Sequence, residues 1–440
     1  MARLTRRSCP DQRIRLVPTK SSLRRHALAF RPRRWTTPVA LSCRRRRQAI
    51  RSIYSPPELV ELSRQLGVAL DVEDAAGRMR IAMVSVQAGP LPENGGQGAH
   101  VAELCAGLSV SGHEPVVYTR RDDSTSPTTL RADDGYDVVH VPAGPPRALA
   151  ENELVEHLGD FTEFLADQWR ERPPDVVHSH HWTSGLVSVI AAHRIRIPVV
   201  HSYHGFGETG MDQRSDAEAL IARRAAWITA TSSAEAAQLS QLGVRRSQLS
   251  VVPSGVNSDF FTPDGPIAVH DGRMRVVVTG ELAHGTSSAA VDAVVSSMDH
   301  VELVDANAVP RTDRPALLRS ADVAVCAPAV ERYGSAALEA MACGVPVVAT
   351  AVGALSDVVL PDVTGLLIPP RDGRRLAQCL KALLADETRR EQFGIAARDR
   401  VLGRYSRSRL AKEAMAVYQH AATGGAVPAR GGRRDAEVRT

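Results

Sequence analysis

Aromatic residues make up only 4% of the 440-residue chain, and no run of 18 apolar residues occurs, so no segment can cross a bilayer as a single helix. A soluble or peripheral protein is expected. Cysteine is sparse: Cys9, Cys43, Cys105, Cys326, Cys343 and Cys379 show neither Cys-x-x-Cys spacing nor a dense framework, which points to reduced thiols in a cytosol and argues against structural zinc. Acidic residues are nearly missing from positions 1–51, where 16 Lys and Arg face Asp11 alone. The remainder carries 38 basic and 48 acidic residues, so a formal net charge of +5 conceals an acidic body. That acidic body speaks against nucleic acid as a partner. What is present, 43% apolar and 23% charged residues, suffices for two or three domains with cores of their own.

The span 1–78 reads as a basic head. Its first 55 or so residues follow neither the helical nor the strand period, and like charges packed so densely repel one another in a compact state. Arg24 and Arg25 before Ala27–Phe30 suggest a twin-arginine signal, but Arg31, Arg33 and Arg34 interrupt the apolar region such a signal needs. A transit peptide or a basic arm for anionic partners competes with that reading. The preferred expectation is that translation begins near Met79 or Met83 and that the head lies outside the fold. Residues Pro57 to Leu70 could form a short amphipathic helix.

From Arg80 onward, short apolar runs alternate with helical periods, the pattern of parallel sheets covered by helices. Strands are predicted at Arg80–Val86, Glu114–Thr119, Asp137–Val141, Asp175–His178, Pro198–Ser202, Trp227–Ala230 and Leu249–Pro253. Between the first two, Val101, Leu104, Cys105 and Leu108 share one helical face. The Gly-, Pro- and Asn-rich stretch from Pro253 to Gly265 reads as a linker. A second set follows at Arg275–Thr279, Val301–Val304, Asp322–Ala327, Val345–Ala349 and Gly365–Pro369, with helices at Ala289–Met298, Arg374–Ala385 and Ser408–Ala421. The expected organisation is an N-terminal Rossmann-like domain over 79–255, a C-terminal one over 256–422 that includes the closing helices, and a disordered tail over 423–440. The fold class is α/β, two doubly wound domains facing across a cleft.

The string from Glu331 to Pro346, ERYGSAALEAMACGVP, follows a predicted strand and opens a helix. The amides of Gly334, Ser335 and Ala336 are then placed as an anion-binding helix start. Glu339 falls two helical turns beyond Glu331, and two carboxylates at such a place suit a polyhydroxylated ligand, since each accepts hydrogen bonds from neighbouring hydroxyls. Helix capping by Glu331 and a solvated Glu339 is the plainer alternative. In the first set, Asn94 to Gly98 (NGGQG) form a glycine-rich loop after the first strand, with Gly95 and Gly96 able to approach a phosphate closely. Two further strands end in the histidine-rich DVVHSHH (Asp175–His181) and HSYHG (His201–Gly205).

Taken whole, the string resembles the Glu-x7-Glu signature of retaining glycosyltransferases of the GT-B fold, family 4, which includes actinobacterial inositol-phosphate and phosphatidylinositol glycosyltransferases. The resemblance runs from about Arg80 to Ala421 and is closest over Ser320–Asp372. It implies a donor nucleotide sugar in the second domain and an acceptor, a small molecule or one linked to lipid, in the first. Glu331 would hold sugar hydroxyls, Glu339 the ribose, and the backbone of Gly334–Ala336 the phosphates. His204 matches the family's cleft histidine, which contacts the transferred sugar or the acceptor; the other histidines are read as structural. No metal and no cofactor are implied, and the setting would be cytoplasmic, with peripheral contact at the inner membrane face.

One tract departs from the family. After the first strand of the second domain the family carries an arginine and a lysine for the donor phosphates, whereas Glu281 stands at the arginine position and Thr286 at the lysine position. Each such charge-assisted contact is worth about 1.5–3 kcal/mol, so a catalytically silent homologue that binds a nucleotide sugar or a partner glycosyltransferase is the alternative reading. About 30 residues, roughly one βαβ unit, are also missing between Val304 and Pro315, which predicts a shortened second domain. His284, Arg311 and Arg314 are candidates to replace the lost cations.

Overall fold

The computed structural model describes residues 77–90, 96–205, 212–280, 282 and 286–423. Most of the basic head, including the Pro57–Leu70 stretch, and residues 424–440 lie outside the described residues.

Two sheets organise the chain. The first holds β1 (Arg80–Val84), β2 (Glu114–Arg120), β3 (Thr129–Arg131), β4 (Asp137–Val141), β5 (Val176–His180), β6 (Val199–Ser202), β7 (Trp227–Ala230) and β8 (Leu249–Val251). Their order is β3-β4-β2-β1-β5-β6-β7-β8, parallel throughout except for the edge strand β3. That short strand, exposed along its length, was not anticipated because it carries no alternating apolar pattern. The second sheet holds β9 (Met274–Val278), β10 (Val301–Asp305), β11 (Val323–Cys326), β12 (Val347–Thr350) and β13 (Gly365–Ile368), all parallel, in the order β10-β9-β11-β12-β13. Near-continuous apolar runs such as β9 (MRVVV) and β11 (VAVC) are what strands covered on both faces require.

Five strands against eight make the second sheet the smaller. Strand order reverses between β1 and β5 in one sheet and between β9 and β11 in the other. Ligand crevices of doubly wound sheets form at such points, beyond the carboxyl ends of the strands. The helix Ser335–Ala342 follows β11, and the helix Gly96–Val110 follows β1.

The last helix corrects the expected grouping of the closing helices with the second sheet. Arg407–Ala422 packs on the first sheet's side, where Leu410, Ala411, Ala414 and Tyr418 join the core formed by Ile81, Met83, Leu104 and Leu108. Approach is closest at Gly107, where an added Cβ would lie 2.6 Å from the Arg407 carbonyl oxygen. The helix Glu387–Arg400, also unanticipated, packs Phe393 and Ala397 on the second half. The linker around Pro253–Gly265 is anchored rather than loose: Val256 pairs with Ser406, and Phe261 is fully buried. Among the described residues no helix is long and apolar enough to cross a membrane.

Candidate active site

At the helix start after β11, Glu331 turns inward on its own loop. Its Oε1 accepts hydrogen bonds from the Tyr333 amide (2.9 Å) and the Gly334 amide (3.0 Å). The Gly334 amide is therefore not open to an anion as expected, and the helix start offers Ser335 and Ala336 instead. Gly334 takes a left-handed conformation (φ 70°) as the cap residue. Gly353 supports the loop from behind: an added Cβ there would lie 1.8 Å from the Glu331 carbonyl oxygen. No pattern in the sequence marked Gly353, because the close approach joins segments 22 residues apart.

Glu339 is buried, not solvated. Its Oε1 accepts from Arg311 Nη2 at 3.2 Å, and Arg314 Nη1 lies 3.9 Å from its Oε2. Burial pushes the Glu339 carboxyl above its ordinary range, a rise that the two arginines offset only in part. Both arginines named as candidate cations thus stand at the helix that carries the second glutamate. Arg311 Nη2 also reaches Glu103 (3.3 Å), whose other oxygen accepts from Arg407 Nε (2.8 Å). The chain Glu339–Arg311–Glu103–Arg407 ties the second sheet's helix to the first sheet's helix. Sequence reasoning missed Glu103, although it is the only charged residue in the helix Gly96–Val110, and a lone acid in an otherwise apolar helix is a usable signal.

Between these groups lies a narrow crevice, with room for about one water. Gly96, His100, Glu103 and Ser254 line it from the first half, and Arg311, Tyr333, Ser335 and Glu339 from the second. A second seam closes beside it: the Thr231 hydroxyl lies 2.9 Å from the Arg332 carbonyl, and the Ser233 amide donates to Asp357 Oδ2 at 2.6 Å.

The wall formed by the first sheet is histidine-rich because β5 and β6 end in polar residues that stay buried. His178 is hydrogen-bonded to Tyr418 through Nδ1 (2.7 Å) and to Ser202 through Nε2 (2.9 Å), a structural role as expected. His204, just past β6, is buried with a left-handed backbone (φ 56°), and its ring packs against His100 and Tyr333. Burial holds the imidazoles of His178, His180 and His204 well below their usual 6.5, with lesser contributions from neighbouring histidines. Burial alone brings His100 down to about 4. His181 caps the next helix with φ 74° and ψ 155°, a region that non-glycine residues enter only under strain.

One nitrogen from each of His100, His180 and His204 lies within 4.8 Å of the others, close enough on distance alone to hold a metal ion. The pair geometry argues otherwise. His180 Nδ1 and His204 Nε2 are 2.8 Å apart in rings 5° from parallel with centroids 5.1 Å apart, so the rings meet edge to edge in a hydrogen bond. The lone pair a metal would need there is already engaged.

Of the remaining anticipated residues, Gly96 opens its helix with φ 56° and lines the cavity, whereas Gly95 lies outside the described residues. So do Glu281 and His284, and Thr286 opens the helix Thr286–Ser296 with its side chain not described.

Comparison with known proteins gives a consistent answer. The family model described as glycosyl transferase 4-like domain matches residues 95–255, and that for glycosyl transferases group 1 matches residues 299–400. A D-inositol 3-phosphate glycosyltransferase of Xylanimonas cellulosilytica is 31% identical, the alignment covering 72% of this chain and 91% of the relative. The enzyme of the same name from Kineococcus radiotolerans is 30% identical, with 78% and 95% covered. Among solved structures, sucrose-phosphate synthase of Thermosynechococcus elongatus superposes with a TM-score of 0.69 at 24% identity, over 78% of this chain and 99% of the other. HepE of Anabaena in complex with UDP and glucose gives 0.58 at 15% identity, over 78% and 100%. The fold is GT-B.

Proposed function

The chain belongs to the group 1 glycosyltransferases with a 4-like first domain, and from that premise we propose that it transfers a sugar from a nucleoside diphosphate sugar to a hydroxyl-bearing acceptor with retention of configuration. The observation that carries this reading is the placement of Glu331 and Glu339 around one helix start, from which Tyr333, Ser335 and Glu339 line a crevice walled by both halves of the chain. Glu339 accepts the ribose hydroxyls through Oε2, which takes no hydrogen bond among the described residues, Arg314 Nη1 standing 3.9 Å away. Glu331, already fixing the loop through one oxygen, offers the other to the sugar. His204 completes the sugar or acceptor contact from the first sheet.

Retention without a protein nucleophile asks the site to stabilise the departing diphosphate while the acceptor enters on the same face. With Glu281 and Thr286 in place of the family's cations, that charge falls to the Ser335 and Ala336 amides and to Arg311 and Arg314, which release part of their pairing with Glu339 as phosphate arrives. Because the curated relatives are named for an inositol phosphate, a polyol phosphate is the first acceptor to test, ahead of lipid-linked ones. The assay supplies uridine, guanosine and adenosine diphosphate sugars in turn with D-inositol 3-phosphate and follows release of nucleoside diphosphate. Release from one donor, with an NMR coupling that matches the donor's anomeric configuration, is expected. An inverted product would overturn retention, and no release from any donor would overturn the transfer reading.

A further inference from the structure

The edge-to-edge pair of His180 and His204 has a hydrogen count that can be followed. Both rings are neutral in their buried setting, so the pair holds two ring hydrogens on four nitrogens. One hydrogen lies in the shared 2.8 Å bond. The other must sit on an outer nitrogen, either His204 Nδ1 or His180 Nε2, and both are buried without a partner among the described residues.

The two choices are unequal. His180 packs 4.2 Å, centroid to centroid, from His178, whose own nitrogens are taken by Tyr418 and Ser202. Neither outer nitrogen has an acceptor among the described residues, so the choice turns on which of them a ligand can pair. His180, packed against His178 and His100 and with no contact to Tyr333 across the cleft, would keep an Nε2–H unpaired, and a buried donor without an acceptor is costlier than a bare lone pair. His204 instead packs between His100 and Tyr333, the residues that border the cavity.

We infer that His180 donates its Nδ1–H to His204 Nε2 and thereby holds His204 as the neutral Nδ1–H tautomer, a standing hydrogen-bond donor for an oxygen of the sugar or its diphosphate and not a general base. His180 is a positioning residue: it never meets the substrate, and its function is to leave His204 with one tautomer and one ring orientation. This goes beyond the proposed transfer reaction but rests on it for the identity of the oxygen. The histidine-rich end of β5 is thereby given a purpose that packing alone does not require.

The test reads the tautomer directly. In full-length protein labelled with 15N, long-range proton–nitrogen correlations at pH 7.5 should show His204 protonated at Nδ1 and bare at Nε2. In His180→Asn the carboxamide N–H stands where Nδ1–H stood, so the His204 pattern should persist and kcat should stay within about 5-fold of wild type. In His180→Ala the tautomers should mix, and kcat should fall about 10-fold or more with little change in KM for the donor, as loss of a single oriented hydrogen bond predicts. A proton on His204 Nε2 in the wild type, or an unchanged tautomer and kcat in His180→Ala, overturns the inference. Should His180→Ala fold poorly, the wild-type and His180→Asn spectra still decide it. Because the spectra need no turnover, failure of the transfer reaction and failure of the tautomer assignment are seen separately.

Discussion

The two walls of the cleft are built on opposite electrostatic terms. On the first-sheet side, His178, His180, His201 and His204 are buried and neutral, hydrogen-bonded to one another and to hydroxyls of Ser179, Ser202 and Tyr418, with one ring nitrogen each of His180, His201 and His204 left unpaired among the described residues. On the second-sheet side, Glu331 accepts from loop amides and Glu339 lies in ion pairs with Arg311 and Arg314. A neutral wall can orient a ligand without repelling either sign, whereas a charged wall can trade its internal partners for those of the ligand. The comparison therefore assigns orientation to the first sheet and charge exchange to the second.

Acid should break the neutral wall first, with the largest effect. An unfolded histidine binds a proton below the usual 6.5, but folded His100 and His181 resist down to about 4 and His201 to about 3. Their stabilisation is complete above 6.5 and is lost as the pH falls toward those values, at about 1.4 kcal/mol per pH unit for each histidine that charges only on unfolding. Urea midpoints measured at pH 7.5, 6 and 5 should drop steeply. A flat profile would show that these rings are not held neutral.

On the charged side, Gly353→Ala should displace the loop of Glu331, because its new methyl group would meet the Glu331 carbonyl oxygen at 1.8 Å. Turnover should fall at least about 100-fold, the size expected when catalytic geometry shifts by about 1 Å. Full activity would mean that the backbone relaxes around it. Arg311→Ala leaves Glu103 and Glu339 short of a partner in a buried setting and should cost about 3 kcal/mol in urea unfolding. A loss below about 1 kcal/mol would place the bridge among ion pairs of surface strength.

The smallest effect separates the two glutamates. Glu339→Ala should weaken calorimetric affinity for a bare nucleoside diphosphate about 10-fold, the value of one charged hydrogen bond, while Glu331→Ala should leave it nearly unchanged and act on the sugar. Equal affinities in wild type and Glu339→Ala would remove the ribose assignment.

Much of this was legible in the linear chain. Strand positions followed from runs such as VVV and VAVC, since residues covered on both faces must be continuously apolar. The Glu331–Glu339 spacing and the resemblance it carries also needed no coordinates, being local in sequence. The unanticipated strand β3 and the helix Glu387–Arg400 were missed because neither shows a clear apolar stripe; the helix is dominated by charged residues.

What only the tertiary structure decided concerns pairs far apart in sequence. The sequence alone determined that two doubly wound domains form and that a carboxylate-bearing helix start lies in the second. It could not determine that the last helix returns to the first sheet, because that depends on Ala411 meeting Gly107 and Tyr418 meeting His178. Nor could it show that Glu339 is buried against Arg311, or that Arg311 spans to Glu103, since a charge's partner is set by where the chain folds and not by its neighbours in sequence. The His180–His204 hydrogen bond is the clearest case. Each histidine stands at the end of its own strand, and only the parallel pairing of β5 with β6 brings the two rings edge to edge.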